Sequence, residues 1–247
     1  YWAFIGVATL YILVPILEQF LPKDTYNLTK SEKQLAKKDK FYDWILYLLA
    51  PVQLYVVYVF LTTISRPDIL FIELLGYSLM MGTILGVNGI NGGHELGHKT
   101  DHPIKIFLAH VLLMTSLQNH FMTYHNSGHH KDVATPNDLT TAKKGQSFYS
   151  FAFQSQIGGY FKTWKLENEK LKKRGKNPLL NPMILTTLVP WLFQGLIFFH
   201  FGYFVGSMYF LASVFGISIL ESQNYFSHYG LQRKLKEDGS YERVKVH

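Results

Sequence analysis

The chain contains no cysteine. That excludes disulfides, Cys-ligated zinc and Cys-ligated iron–sulfur clusters within it. Acidic residues are scarce as well: 17 Asp and Glu stand against 24 Lys and Arg, a net charge of +7. On a soluble domain such an excess points to nucleic acid. Here the basic residues flank long apolar blocks, so membrane topology accounts for them and no nucleic-acid partner is expected. No basic start with a short apolar core and a small-residue cleavage site is found, so no signal peptide is evident. Internal repeats and low-complexity tracts are missing too. The chain opens at Tyr1 inside an apolar run and closes at His247 in a charged tail. It is expected to be part of a longer protein, cut at both ends.

What the chain has in quantity is apolar residues, 48% of 247, with 19 Phe and 16 Tyr. They fall into five segments of about twenty residues, near the length that crosses a hydrocarbon core: 2–21, 43–65, 69–90, 183–203 and 206–226. Pro15 and Pro51 are tolerable in such helices. Glu18, Asp43, Asp68 and Glu221 are expected near span ends, and Glu73 one turn inside the third span. The expected fold is therefore an all-α integral membrane protein, a helical bundle forming one membrane-embedded domain over residues 1–247. The apolar stretch 103–118 is short for a crossing and is expected to be a helix buried in the protein or partly in the interface. Residues 148–173 begin aromatic and end charged, which suits a helix lying along the headgroups.

The connector 22–42 carries six lysines and 91–182 carries twelve Lys and Arg, whereas the turn at 66–68 is only "RPD" and the turn near Val205 has no charge. The positive-inside rule places 22–42, 91–182 and 227–247 in the cytoplasm. All the histidine-rich stretches then lie on one side of the membrane and can meet.

Eight of the eleven histidines fall between His94 and His130. His94 and His98 in "GGHELGHK", four apart on a helix, lie about 40° apart around the axis, so both rings can reach one metal. His125 and His129 in "HNSGHH" have the same spacing. His130 points about 100° away from His129 on a helix, which suggests a second metal nearby. His228 in "NYFSHYG" is a sixth candidate. A tetrahedral zinc needs four ligands; six imidazoles without cysteine imply two metals or an unusual site. Imidazole alone does not choose among iron, zinc, copper and nickel. His110 and His200 sit in apolar runs without such partners and are expected to be packed or hydrogen-bonded residues instead; His102 and His120 are ambiguous by position and are expected not to be ligands. "HELGH" also fits H-E-x-x-H, the zinc-protease signature with Glu95 as base, but that leaves "HNSGHH" and His228 unexplained. A membrane histidine cluster that binds haem or carries metal is the non-enzymatic alternative.

These stretches resemble the bacterial membrane-bound alkane monooxygenases, part of the histidine-rich membrane di-iron group that also holds fatty-acid desaturases and xylene monooxygenase. "NGGHELGHK", "HNSGHHKDVATPNDLTTAKKGQSFY" and "NYFSHYGL" are similar to the first, second and H-Y-G boxes of that family, and the likeness covers essentially the whole chain. "HHKDVATPND" separates it from desaturases, whose second box usually reads H-x-x-H-H. Tyr124 and Ser227 stand where the family usually has Glu. A further box of the form L-Q-R-H-S-D-H-H belongs a few tens of residues beyond H-Y-G, and the family has six spans, of which five are visible here.

The resemblance implies two non-haem irons and O2, with His94, His98, His125, His129, His130 and His228 as metal ligands. Glu95, Asp138 and Asn224 are expected to hydrogen-bond to ligand rings rather than hold metal. It further implies hydroxylation of the terminal carbon of medium or long-chain alkanes, electrons from a rubredoxin-like donor, and a multi-pass position in the bacterial inner membrane. Related xylene-type or fatty-acyl hydroxylases and desaturases are the alternative enzymes. Zinc has no redox chemistry and cannot serve such a reaction.

Overall fold

A computed structural model describes residues 2–22, 26–99 and 102–243. Lys23 and His247 therefore lie outside the described residues. Every regular element among those described is helical, apart from one isolated bridge between Leu235 and Tyr241.

The first span, α1 (Trp2–Phe20), continues through Pro15. It is followed by a short helix, α2 (Lys30–Lys38), whose start is a capping box. Thr29 Oγ1 accepts from the Glu32 amide and the Glu32 carboxylate accepts from the Thr29 amide at 2.7 Å. The second span, α3 (Phe41–Ile64), contains Pro51 without breaking. The third, α4 (Phe71–His98), includes a π-helical turn at Leu85–Asn91. Glu73 is not loose in the membrane: its carboxylate accepts from the Leu70 amide at 3.3 Å and lies 3.7 Å from Arg66, capping α4.

The two expected spans at 183–203 and 206–226 are formally one helix, Pro182–His228, interrupted at Gly202 with φ 82° and ψ 171°. That backbone region is essentially open only to glycine. The break is a reversal. Trp191 and Phe210, about 28 Å apart along a straight helix of 1.5 Å rise, have ring centroids 6.2 Å apart. Gln194 Nε2 also donates to the Gly206 carbonyl at 3.0 Å. Two antiparallel segments result, α8 (182–201) and α9 (203–228), preceded by α5 (Pro103–Thr115), α6 (119–132) and α7 (148–173). Four helices among the described residues are long and apolar enough to cross a membrane, Pro182–His228 counted as one; the expected segments 183–203 and 206–226 fall largely on either side of its break at Gly202.

The spans pack around Val57, Phe60 and Ile64 of α3, Leu74, Met81 and Leu85 of α4, and Ile197, Tyr209 and Ala212 of the hairpin. At the crossing of α4 and α9 the backbones touch. A Cβ on Gly82 would lie 2.6 Å from the Ala212 carbonyl, and one on Gly216 would lie 2.7 Å from the Gly82 carbonyl. Small residues permit such an approach in membranes, where van der Waals contact rather than hydrophobicity drives helix association. The outward faces remain apolar and exposed, with Trp44 and Tyr55 on α3 and Trp191 and Phe199 on α8.

Helix α5, about 20 Å long at 1.5 Å per residue, is too short for a hydrocarbon core of about 30 Å. One face is buried in the protein, with Ala109, Leu112 and Leu113 fully enclosed, while Ile104 and Phe107 on the other are exposed. Helix α7 exposes Tyr149, Phe153 and Phe161 near its start and carries Lys170, Lys172 and Lys173 in its last turn. Glu221 departs from the expected position at a span end. It lies seven residues inside α9, 2% exposed, and accepts from Ser155 Oγ at 3.1 Å and Gln156 Nε2 at 2.5 Å on α7. Those amide and hydroxyl donors make its burial tolerable.

Gly202→Ala should destabilise the protein by roughly 1–3 kcal/mol, the usual cost of forcing a side chain into such a backbone region. A thermal melt in detergent will show it, with the histidine site unchanged.

Candidate metal centre

Three separate helix ends deliver the imidazoles. His94 and His98 occupy the last turns of α4, His125–His130 lie in α6, and His228 closes α9. His94 Nε2 lies 2.8 Å from His125 Nε2 and 2.8 Å from His98 Nε2. One ligand atom from each of these three rings falls within 4.8 Å of the others. Nitrogens bound to one ion at about 2.0–2.1 Å stand about 3 Å apart, so this trio has the convergence a metal requires. His130 joins the trio, its ring centroid 4.3 Å from His125 and 5.0 Å from His98.

The second box departs from the simple helical expectation. Residues His125–His129 form a π turn, closed by the His130 amide donating to the His125 carbonyl five residues back. In that geometry the residue that returns above His125 is the fifth onward, not the fourth. His130 therefore comes close to His125. His129 is turned toward His228, ring centroids 5.0 Å apart, while still stacking on His125 at 5.3 Å. The structure arranges the six rings as a group of four, His94, His98, His125 and His130, beside a pair, His129 and His228.

Asp138 anchors that pair. Its Oδ2 lies 2.9 Å from His129 Nδ1 and accepts from Thr141 Oγ1 at 2.6 Å. Its Oδ1 accepts from Thr140 Oγ1 at 2.8 Å and Tyr124 Oη at 3.2 Å. Burial pushes the carboxyl up, but His129 and the two threonines outweigh it and hold Asp138 well below the usual carboxylate range. A charged Asp138 fixes His129 with Nδ1 protonated, leaving Nε2 free as a ligand. Burial, reinforced by the neighbouring His94, His129, His130 and His98, pushes His125 down to about 2. Its ring is thus neutral, the form that binds metal. Burial first, then His98 and His129, also lowers His130.

The six rings line a cavity of about 610 Å³. Val87 and Ile90 of α4, Phe121 of α6, and Ile219 and Leu220 of α9 line it as well. Phe121 stacks on His125 with centroids 5.0 Å apart at 25°. Nδ1 of His94, on the ring edge opposite the Nε2 that faces His98 and His125, is buried without a hydrogen-bond partner. Asn224 also lines the cavity, and its side chain reaches Glu221 rather than a ring. Glu95 is exposed, its Oε1 3.6 Å from His94 Nδ1, too long for a hydrogen bond.

The remaining described histidines stand apart, as expected. His102 caps α5, its Nδ1 accepting from the Ile104 amide at 3.3 Å. His110 lines a separate apolar cavity with Phe107 and Val111, His200 lies among Leu54, Leu196 and Phe201, and His120 packs edge-on against Tyr160 at 5.3 Å. Sequence reasoning missed Thr140 and Thr141 as partners of Asp138, for which the run "NDLTT" was the only signal; it singled out Tyr124 without showing that its hydroxyl meets Asp138.

The model of the fatty acid desaturase family matches residues 69–246, which contain every ring of the cluster. The chain belongs to the fatty acid desaturase family. Among its relatives, alkane 1-monooxygenase 1 of Alcanivorax borkumensis is 34% identical over 96% of this chain and 59% of its own length. Alkane 1-monooxygenase of Ectopseudomonas oleovorans is 32% identical over the same shares. The xylene/toluene monooxygenase hydroxylase component of Pseudomonas putida is 29% identical over 96% of this chain and 63% of its own. The chain thus spans about three fifths of the length of these relatives. Within this desaturase-family frame the helices describe a multi-pass membrane protein, and "HELGH" is one strand of a larger histidine cluster rather than a zinc-protease motif.

Asp138→Asn removes the charge that orients His129. Metal affinity should fall roughly 10–100-fold, the common effect of losing such a partner, as measured by competition with a chelator in the full-length protein.

Proposed function

We propose that the full-length protein is an O2-dependent, non-haem di-iron monooxygenase that hydroxylates the terminal carbon of medium or long-chain alkanes. The observation that carries this reading is one cavity with two unlike kinds of lining: the six imidazoles together with the apolar Val87, Ile90, Ile219 and Leu220. An unactivated C–H bond yields to no acid, base or nucleophile that this cavity presents. Bound iron would supply redox activation of O2, which zinc cannot.

The chain's own residues would do the rest. His94, His98, His125 and His130 hold one iron, and His129 and His228 contribute to the second. Asp138 keeps His129 in the tautomer that binds. The apolar residues align a hydrocarbon that has partitioned into the bilayer and exclude water from it, with Phe121 shielding the His125 ring. Glu95, close to His94 Nδ1, is positioned to take up a hydrogen bond from that ring with a small side-chain adjustment. Electrons would come from a rubredoxin-like donor. The exposed basic run Lys172, Lys173, Arg174 and Lys176 offers an acidic donor a docking face. The lysine asymmetry supports a bacterial inner-membrane protein with this site on the cytoplasmic side.

A second reading, methyl hydroxylation of an alkylbenzene, draws on the 29% identical xylene/toluene relative. It is less supported than the alkane reading, which the 34% and 32% identical relatives favour.

Alanine at any of the six ligand histidines in the full-length protein should lower iron per chain and cut octane hydroxylation at least tenfold, whereas His200→Gln should retain both. Full iron and full activity in two of the six would overturn the ligand set, and wild-type activity on xylene but not octane would select the second reading. Topology has its own check: single cysteines at Ser31, Asp68 and Lys143 in intact cells should react with an impermeant thiol reagent at position 68 alone. Labelling at 143 would put the site on the opposite side.

A further inference from the structure

The third span does not run into the metal centre as an unbroken α-helix. The π turn Leu85–Asn91 is followed at once by the residues that carry His94 and His98. Each residue of an α-helix advances about 100° around the axis. A π turn takes an extra residue, so every side chain beyond it is rotated relative to the regular helix before it. The direction in which His94 and His98 point is therefore set at Leu85–Asn91, not by the apolar face of 71–84.

Buried polar groups converge on that turn. Gln53 of α3, 0% exposed, accepts from Asn88 Nδ2 at 3.0 Å and donates to Thr115 Oγ1 at 3.3 Å. Ser116 Oγ donates to the Leu85 carbonyl, the first of the turn, at 2.8 Å. Gly89 leaves room for both partners: a Cβ there would lie 2.0 Å from Ser116 Oγ and 3.3 Å from Gln53 Nε2. Tyr209 of α9 donates to the Thr115 carbonyl at 2.5 Å and completes the contact. At this depth water is not at hand to satisfy such groups, so each is costly unless the others are in place.

We propose that Gln53, Asn88 and Ser116 are positioning residues. They pin the π turn and so fix the rotation at which His94 and His98 meet His125. The inference rests on the reading of this cluster as a metal site. Ordinary interhelical hydrogen bonding would tighten the bundle without changing how the rings face. Pinning the turn makes the metal geometry itself depend on these side chains.

The test uses the full-length protein in detergent with Co2+ as the probe, since its ligand-field absorption reports coordination geometry without turnover. Wild type should bind Co2+ with a spectrum that His94→Ala abolishes or alters; if His94→Ala leaves it unchanged, the metal-site reading itself fails. The informative variant is Gln53→Leu with Asn88→Leu. Replacing both partners by apolar groups of similar size leaves neither unsatisfied, so its melting temperature should stay near wild type. Its Co2+ spectrum should change, and loss of Co2+ to a chelator should speed up at least tenfold. Ser116→Ala should shift both readouts in the same direction by less, and it decides the matter if the double variant does not fold. Gln194→Leu removes an equally buried contact between α8 and α9 far from the turn. It should lower the melting temperature and leave the spectrum unchanged. A wild-type spectrum and release rate in the folded double variant, or in Ser116→Ala where the double variant fails, would overturn the proposal. So would an equal spectral change in Gln194→Leu.

Discussion

Helical phase is the constraint on which this site depends. Two imidazoles four residues apart on an α-helix face one point, but a third on the next residue cannot join them. The π turn at His125–His129 relaxes that limit. The i to i+5 bond from the His130 amide to the His125 carbonyl brings His130 beside His125 and releases His129 toward His228. A second π turn, at Leu85–Asn91, sets the rotation of the facing pair on α4. Either turn regularised to α-helix would rotate at least one ring out of the cluster. A π turn sacrifices good backbone geometry and is found mostly at functional sites; of the four among the described residues, these two lie in the helices that carry the rings, and the others are at Thr9–Leu13 and Gln154–Gly158.

The polar interior has to be as closely matched as the metal end. Asp138 collects donors from His129, Thr140, Thr141 and Tyr124, and the tail returns to hold the same loop. The Gly230 amide donates to the Ala142 carbonyl at 2.8 Å and the Arg233 amide to the Ala134 carbonyl at 2.7 Å. The loop that carries Asp138 is thereby tied to the end of α9 that carries His228. Tyr124 stands where alkane monooxygenases usually carry Glu. Its hydroxyl donates to Asp138 and accepts from the Leu139 amide at 3.2 Å, so it supports the same carboxylate instead of adding a second one beside it. Two buried carboxylates so close would repel, and one would take up a proton; a phenol avoids that.

Much of this was legible in the sequence because it depends on local pattern. Apolar length gave the spans, and the uncharged turn near Val205 marked the reversal that the backbone makes at Gly202. The shortness of 103–118 correctly kept α5 inside the protein. Histidine spacing singled out the six rings that meet and set aside His110 and His200, which do not; His102, four residues after His98, has the spacing of a ligand yet caps α5. What stayed hidden depends on tertiary partners. A π turn has no spacing signature, so the division of rings into a group of four and a pair could not be read from "HNSGHH". Glu221 looked like a charge near a span end because nothing local shows that Ser155 and Gln156 from α7 come to meet it. Glu95 and Asn224 sit in the right boxes, yet their side chains turn to solvent and to Glu221.

The position of the cavity along α4 links the two halves of the proposed chemistry. His94 and His98 lie at the helix end, and Val87 and Gly86 lie two turns or more earlier, where α4 and α9 touch backbone to backbone. At 1.5 Å per residue, Gly86 and His94 are about 12 Å apart along the axis. Gly86, at that crossing, lines the cavity beside Val87 and Ile90, and the imidazoles line it where the chain turns polar. A hydrocarbon gains most by keeping its length among Val87, Ile90, Ile219 and Leu220, at roughly 25 cal/mol per Å² of surface kept from water. One end of it is then left to face the rings. On the proposed reading, the same gradient of polarity that orients the helices in a bilayer would orient an alkane, and no specific hydrogen bond to it, since it can make none, would be required.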